Sequence, residues 1–309
     1  MGAGALAGAL AALSASLLGV GALDERWLFE LTGYAADQPF MRPAELALDS
    51  RRRVIYVADP DAREIITFSL QGAPGLRLTP APDLDPVSLA LDHAGNLYVA
   101  DGRAGRIRVF DAAGAPLTEW AVEEGPGRER PELGRIALDP EGRLYVVDRR
   151  NAQVLVFEQD GRLRNRVGRR GNRVGEFLAP EDVAVDRWGR ICVTDSMGIP
   201  LQVFDAAGKY LHRIGRRGER EEELRFPTGL FIDRWDQLWV TDTHGHRVVA
   251  YDRFGELLYA FGEFGQARGQ FYYPVDFLLD GWDRGVVLER EGRRVQVFRF
   301  GTQLGRMRP

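Results

Sequence analysis

The chain is a succession of short apolar runs separated by Asp, Gly and Pro. The stretch from Pro180 to Asp233 shows the pattern once through, reading PEDVAVDRWGRICVTDSMGIPLQVFDAAGKYLHRIGRRGEREEELRFPTGLFID. One apolar run ends in Asp186, and a turn leads to a second run that ends in Asp195. A loop leads to a third run, which closes on Phe204. A turn with Gly208 leads to a fourth, and a Gly-rich connector reaches Pro227, where the pattern begins again. Runs rich in Val, Ile, Leu, Phe and Tyr, bounded by turn formers, predict strands. Outside residues 1–22 no segment sustains a helical period, which excludes a helical solenoid.

The rest of the chain repeats this unit. The acid closing the first run recurs as Asp49, Asp92, Asp139, Asp186, Asp233 and Asp280, with a first step of 43 residues and four further steps of 47. The acid closing the second run recurs as Asp59, Asp101, Asp148, Asp195, Asp242 and Glu289. Nine residues after each stands an aromatic: Phe68, Phe110, Phe157, Phe204, Tyr251 and Phe298. Four strands in about 45 residues is the period of a propeller blade. The fold class is therefore all-β, a six-bladed β-propeller of four-stranded antiparallel blades. The blades fall near 43–79, 86–122, 133–168, 180–215, 227–262 and 274–300. Residues 27–33, WLFELTG, match a fourth strand placed before blade 1. They are expected to pair as the outer strand of blade 6, closing the ring and leaving no open edge. The C-terminal TQLGRM competes for that place. The recurring Asp and Gly residues are expected to be scaffold, with Asp accepting backbone N–H groups in the turns and Gly supplying positive φ.

The copies resemble NHL repeats. VTDTHGHRVVAYDRFG and VADGRAGRIRVFDAAG carry that family's strand–loop–strand pattern, and GRRGNRVGEFLAP and GEFGQARGQFYYP its Gly/Phe/Pro connectors. The resemblance spans residues 27–300. It weakens in blade 1, whose connector GAPGLRLTPAPDLDP lacks the Gly/Phe pattern, and at SMGIPL in blade 4. It implies a six-bladed propeller and little about chemistry, since such folds serve both enzymes and interaction modules.

Composition adds three points. The net charge is −4. Lys209 is the only lysine among many arginines, a bias that reflects either base composition or recognition of carboxylate and phosphate. Cys192 is alone, so no intramolecular disulfide forms, and its apolar surroundings make it a small buried hydrophobe. Residues 1–22 carry no charge. As a helix they would span about 33 Å, enough for a bilayer, and they end in small residues that suit a cleavage site. A signal peptide or membrane anchor is expected there. The propeller, residues 23–309, is then exported to the periplasm or the extracellular space, touching membrane only through residues 1–22.

Candidate chemistry lies at the mouth of the central channel. Four residues before each first-run acid stand Glu45, Ser88, Arg135, Asp182, Gly229 and Asp276, which the repeat places in one ring. Glu45, Asp182 and Asp276 could hold Ca²⁺ or Mg²⁺ through oxygen ligands, or form a solvated rim balanced by Arg135. Acids so placed are expected to show raised pKa values unless a cation is bound. The connectors and nearby loops bring Arg149, Arg150, Arg169, Arg170, Arg217 and Arg247 to the same end. With Arg135 and Ser88 they form a candidate ligand-binding set for a protein partner or an anionic glycan. Phe177, Phe226, Phe271, Tyr272 and Tyr273 interleave with them, although the repeat itself explains these rings as core. Export and the dilution of the basic field by Glu219 to Glu223 argue against nucleic acid. His244 and His246 form an HGH that reads as a chelate or as ordinary loop. No Ser-His-Asp order, phosphate loop or EF-hand pattern occurs.

Two functions fit. One is a monomeric, non-enzymatic, exported propeller that binds a partner through its Arg-rich mouth. The other is a metal-dependent lyase or hydrolase using Glu45, Asp182 and Asp276.

Overall fold

A computed structural model describes residues 25–79, 83–122, 129–220 and 222–301. It contains six four-stranded antiparallel sheets. The inner strands are Glu45–Asp49, Pro86–Leu91, Leu133–Leu138, Pro180–Val185, Pro227–Ile232 and Pro274–Leu279. Each packs against the inner strands of both neighbouring blades, and the sixth returns to the first, so the ring is closed. Strand Glu25–Leu31 completes blade 6, pairing antiparallel with Arg294–Phe300 in a register that runs from Glu25↔Phe300 to Leu31↔Val295. The expected N-terminal closure is thus observed. Residues 1–22 and TQLGRM lie outside the described residues. A hairpin not foreseen from the sequence, Gly33–Ala35 with Gln38–Pro39, leads from the closing strand into blade 1.

The core is six wedges, one at each blade interface. Between blades 3 and 4, for example, Val154, Val156 and Val167 meet Phe177, Val183, Ile191 and Phe204. The recurring aromatics Phe68, Phe110, Phe157, Phe204, Tyr251 and Phe298 all lie buried in these wedges. Each contributes about 1.5–3 kcal/mol by leaving water. Cys192 sits in the wedge between blades 4 and 5, where burial pushes its thiol up to about 12 and leaves it inert at neutral pH.

The repeated acids are fully used as scaffold. Asp186 Oδ1 accepts the amides of Trp188 and Arg190 at 3.0 and 2.8 Å, which holds the first turn of blade 4. Gly189 completes that turn at φ 76°. The second acids pin the segment that enters each inner strand. Asp195 accepts from Leu178 and Ala179, Asp242 from Arg225 and Phe226, Asp59 from Met41 and Arg42, and Glu289 from Tyr272. Charge-assisted hydrogen bonds of this kind offset the burial of these carboxylates.

Convergence of six inner strands leaves little room at the centre. A methyl group at Gly229 would stand 2.8 Å from the Val275 carbonyl oxygen and 3.1 Å from Asp276 Cα, both backbone of blade 6. Glycine is required here by proximity rather than by φ. Gly229→Ala is expected to lower stability by about 1–3 kcal/mol, the usual cost of overpacking. Urea unfolding checks this; an unchanged midpoint would show that blades 5 and 6 can part at no cost.

Candidate functional site

The six ring positions do meet, and they form a septum across the channel. Arg135 reaches into the middle. Its Nη1 lies 2.9 Å from Asp276 Oδ1 and 3.3 Å from Asp182 Oδ2, and its Nε lies 4.0 Å from Glu45 Oε2. Its Nη2 donates to the Val275 carbonyl at 2.8 Å. One guanidinium from blade 3 therefore ties blades 1, 4 and 6. The even-numbered blades supply a second set of links. Ser88 Oγ accepts the amide of Ile136, Asp182 Oδ2 that of Leu230, and Asp276 Oδ2 that of Leu46, each at 2.8 Å. Asp182 Oδ1 and Asp276 Oδ1 also accept the amides of Val183 and Phe277.

Electrostatics follow from burial. Burial raises Glu45 well above the carboxylate range, Arg135 opposes this, and Asp276 and Asp182 reinforce it. Burial likewise pushes Asp182 up to about 7 against the pull of Arg135. Burial works to lower the pKa of Arg135, but Asp276, Glu45 and Asp182 outweigh it and the net shift is upward. Glu45 and Asp182 are raised as anticipated from the sequence, through burial first and mutual repulsion second. The guanidinium stands where a divalent cation among these acids would stand, and the Asp oxygens already accept N–H groups. The arrangement does not fit Ca²⁺ or Mg²⁺. Among the described residues no group of three or more His, Cys, Asp or Glu side chains is placed to hold a metal.

The septum separates two spaces. On the turn side lies a chamber of about 300 Å³ walled largely by Leu46, Leu48, Ile136, Val183, Leu230 and Leu278. On the connector side lies a mouth pocket of about 690 Å³. Arg135 borders both. The mouth pocket spans blades 3 to 6 and is lined by Arg149, Glu181, Phe226, Thr228, Thr243, His244, Tyr272, Tyr273, Arg290 and Glu291.

Its walls combine rings and charge. His244 stacks on Phe226 with centroids 4.3 Å apart and meets the edge of Tyr273 at 6.0 Å. His246 Nδ1 accepts the amide of Tyr273 at 3.3 Å, which assigns its proton to Nε2 in the neutral form. Burial and then His244 hold His246 below its ordinary value. HGH is therefore a ring platform rather than a chelate. Arg149 pairs with Glu181 at 3.2 Å, and Ser196 holds the other oxygen of Glu181 at 2.7 Å. Arg290 occupies the same repeat position as Arg149, one place after the second acid, in the diametrically opposite blade. Its half-buried guanidinium makes no ion pair among the described residues, and its buried Nε has no acceptor. Burial lowers its pKa, and Arg135, Arg149 and Arg42 add repulsion.

The arginine set expected from the sequence divides on this geometry. Arg135 and Arg149 border the mouth pocket; Ser88 is buried in the septum. Arg150 faces Glu132 at 3.8 Å and Arg169 pairs with Glu176 at 2.9 Å. Arg170, Arg217 and Arg247 donate to backbone carbonyls of Arg150, Arg225 and Glu223, knitting connectors and loops together. The aromatics divide too. Phe177 and Phe271 are core, whereas Phe226, Tyr272 and Tyr273 line the pocket. Arg290 belongs to the arginines that the repeat places at this mouth, and comparing blades one residue beyond the second acid singles it out together with Arg149.

Comparison with known proteins agrees on fold. A family profile described as a 6-bladed beta-propeller matches residues 132–190 and 187–260. No curated protein matches. Among solved structures, virginiamycin B lyase from Staphylococcus aureus superposes with a TM-score of 0.64 at 14% identity, covering 90% of this chain and 99% of that one. A gluconolactonase from Xanthomonas campestris gives a TM-score of 0.64 at 16% identity, covering 84% of this chain and 86% of that one. A protein of unknown function from Bacteroides thetaiotaomicron gives 0.68 at 16% identity, with 92% and 74% covered. At these identities the likeness establishes the six-bladed propeller.

The septum carries a pH prediction. A carboxylate with a raised folded pKa contributes stability below its unfolded value, about 4, and loses it as pH rises through the folded one. For Asp182 that window runs from about 4 to about 7. Stability should therefore fall across it, and Asp182→Asn should flatten the slope. Arg135→Leu should cost about 3–5 kcal/mol at neutral pH by leaving buried acids unpaired, and less near pH 5, where Asp182 is protonated. Denaturant unfolding across pH checks both.

Proposed function

We propose that this chain is an exported interaction module that takes an anionic group of its partner, an acidic glycan or acidic protein segment, into the mouth pocket. The observation that carries this reading is Arg290. A guanidinium held half-buried, short of acceptors and repelled by three other arginines is stabilised by an incoming anion. The guanidinium fork suits a carboxylate or sulfate. Arg149 faces it from the opposite blade, and Phe226, His244, Tyr272 and Tyr273 offer flat surfaces for a sugar ring or side chain. Six near-equivalent blades with no metal-ligand group among the described residues support binding over metal-dependent chemistry.

Titration calorimetry with a uronic-acid oligosaccharide and with a Glu-rich peptide tests the reading and separates its two partner types. Arg290→Ala is expected to weaken the better probe by about tenfold to a hundredfold, the range for a charge-assisted hydrogen bond, with unfolding midpoint unchanged or raised. Arg169→Ala, outside the pocket, should leave affinity intact. Equal affinity in Arg290→Ala and the parent protein would sink the reading.

A second reading has one specific support. Two structural neighbours that cover most of this chain are a lyase and a gluconolactonase. His244 is an exposed imidazole beside Arg290 and Glu291 in the same pocket and could act as a general base. Turnover of virginiamycin B or gluconolactone, lost in His244→Ala, would favour this lyase or hydrolase reading over pure binding.

A further inference from the structure

The end opposite the mouth, where the first and third turns of each blade lie, has its own asymmetry. Two residues after the acid of the first turn stand Arg51, Ala94 and Glu141 in blades 1 to 3. Blades 4 to 6 have Trp188, Trp235 and Trp282 there. Three blades make the same turn without tryptophan, so the turn does not require it. Trp282 is 69% exposed and Trp188 50%. Trp235 is half-buried against the wedge between blades 5 and 6. Phe254, in the outer turn of blade 5, is 64% exposed.

Arginines interleave with these rings. The Arg187 and Arg190 guanidinium carbons lie 5.0 and 5.2 Å from the Trp188 centroid, and that of Arg253 lies 5.6 Å from it. Arg253 also covers Phe254 at 4.7 Å. Arg234 lies 4.3 Å from the Trp235 centroid and 5.7 Å from that of Trp282, bridging two blades. Arg187 and Arg190 are neutralised by Asp236 and Asp186. Arg234 and Arg253 make no ion pair among the described residues, so two guanidinium groups beside the indole rings lack a carboxylate partner.

The chain enters the fold at this same end. Glu25 pairs with Phe300. The Phe300 amide donates to the carbonyl of Asp283, the residue after Trp282, at 2.6 Å. Glu25, the first described residue, thus enters the propeller beside the tryptophan row.

We propose that the face formed by Trp188, Trp235, Trp282, Phe254, Arg234 and Arg253 lies on an anionic lipid bilayer. Indole rings prefer the headgroup level, and arginines near the surface are drawn to anionic lipid. The proposal rests on the expectation that residues 1–22 engage the membrane. With the turn end against the bilayer, the mouth pocket faces away, open to a partner from solution.

The full chain with vesicles of phosphatidylglycerol and phosphatidylcholine tests this. Sedimentation reports whether the chain reaches the bilayer, and quenching of tryptophan fluorescence by brominated lipid reports whether these rings touch it. Strong quenching is expected, with most of it lost in Trp188→Phe/Trp282→Phe and reduced in Arg234→Glu/Arg253→Glu. Pure phosphatidylcholine should quench less. A chain that sediments with its tryptophans unquenched overturns the face while leaving the anchoring expectation for residues 1–22 in place. A chain that does not sediment overturns both. Quenching that survives both variants also overturns the face, since other rings would then be making the contact.

Discussion

The guanidinium of Arg135 stands where six inner strands converge, and the character of the whole channel depends on it. A ring of register-equivalent positions must place six side chains within a few ångströms of one axis. They cannot all be large, nor can several be charged with one sign without an opposite charge or protons among them. The chain resolves this by role. Ser88, Asp182 and Asp276, on the even-numbered blades, accept amides from the next blade around. Gly229 vacates space for the blade 6 backbone. Arg135 fills the centre and meets the acids there. Buried ion pairs are weak evidence of net stability, because desolvation consumes much of the attraction. Two of the three acids that Arg135 meets, Glu45 and Asp276, belong to blades not adjacent to blade 3, so these contacts cross the ring as well as run around it.

Once the channel is closed at that level, function divides by side. A ligand arriving at the connector end meets Arg135 as floor and cannot pass into the chamber beneath. On the proposed reading an anionic group is taken at the mouth pocket, whose cations are graded by how well they are satisfied. Arg135 is saturated by acids and a carbonyl, Arg149 is balanced by Glu181, and Arg290 is left short. An unsatisfied half-buried charge is costly, and a binding site is a place where that cost is removed by the ligand.

Most of the architecture was legible because it is written six times. The steps of 47 residues locate strands, turns, wedges and closure, and the structure returns each in register. The ring of Glu45 to Asp276 was legible too, since it too is a register. What could not be read was depth. Sequence register says that Arg135 shares a level with three acids; it does not say whether that level is a wet rim or a sealed septum, which depends on the convergence of backbones. Hence three carboxylates suggested a divalent cation where a guanidinium stands. The connector arginines failed for a related reason. Arg170, Arg217 and Arg247 look alike in sequence to a ligand-binding arginine, and only the folded loops reveal that backbone carbonyls accept their N–H groups.

Repetition itself indicates where to look for function. Positions that recur in all blades are fixed by folding; positions that differ between blades are free of that constraint and available for other use. Differences cluster on one half of the ring. Blades 4 to 6 supply Glu181, Phe226, His244, Tyr273 and Arg290 to the mouth pocket, and the same blades carry the tryptophan row at the opposite end. The wedge between blades 5 and 6 is the most aromatic, with Trp239, Tyr259, Phe261, Phe271, Phe277, Phe298 and Phe300 in one cluster. Rigid ring packing there holds the two ends of this half in fixed relation across the molecule. On the proposed orientation, with the turn end on a bilayer, this packing would set the direction in which the mouth faces.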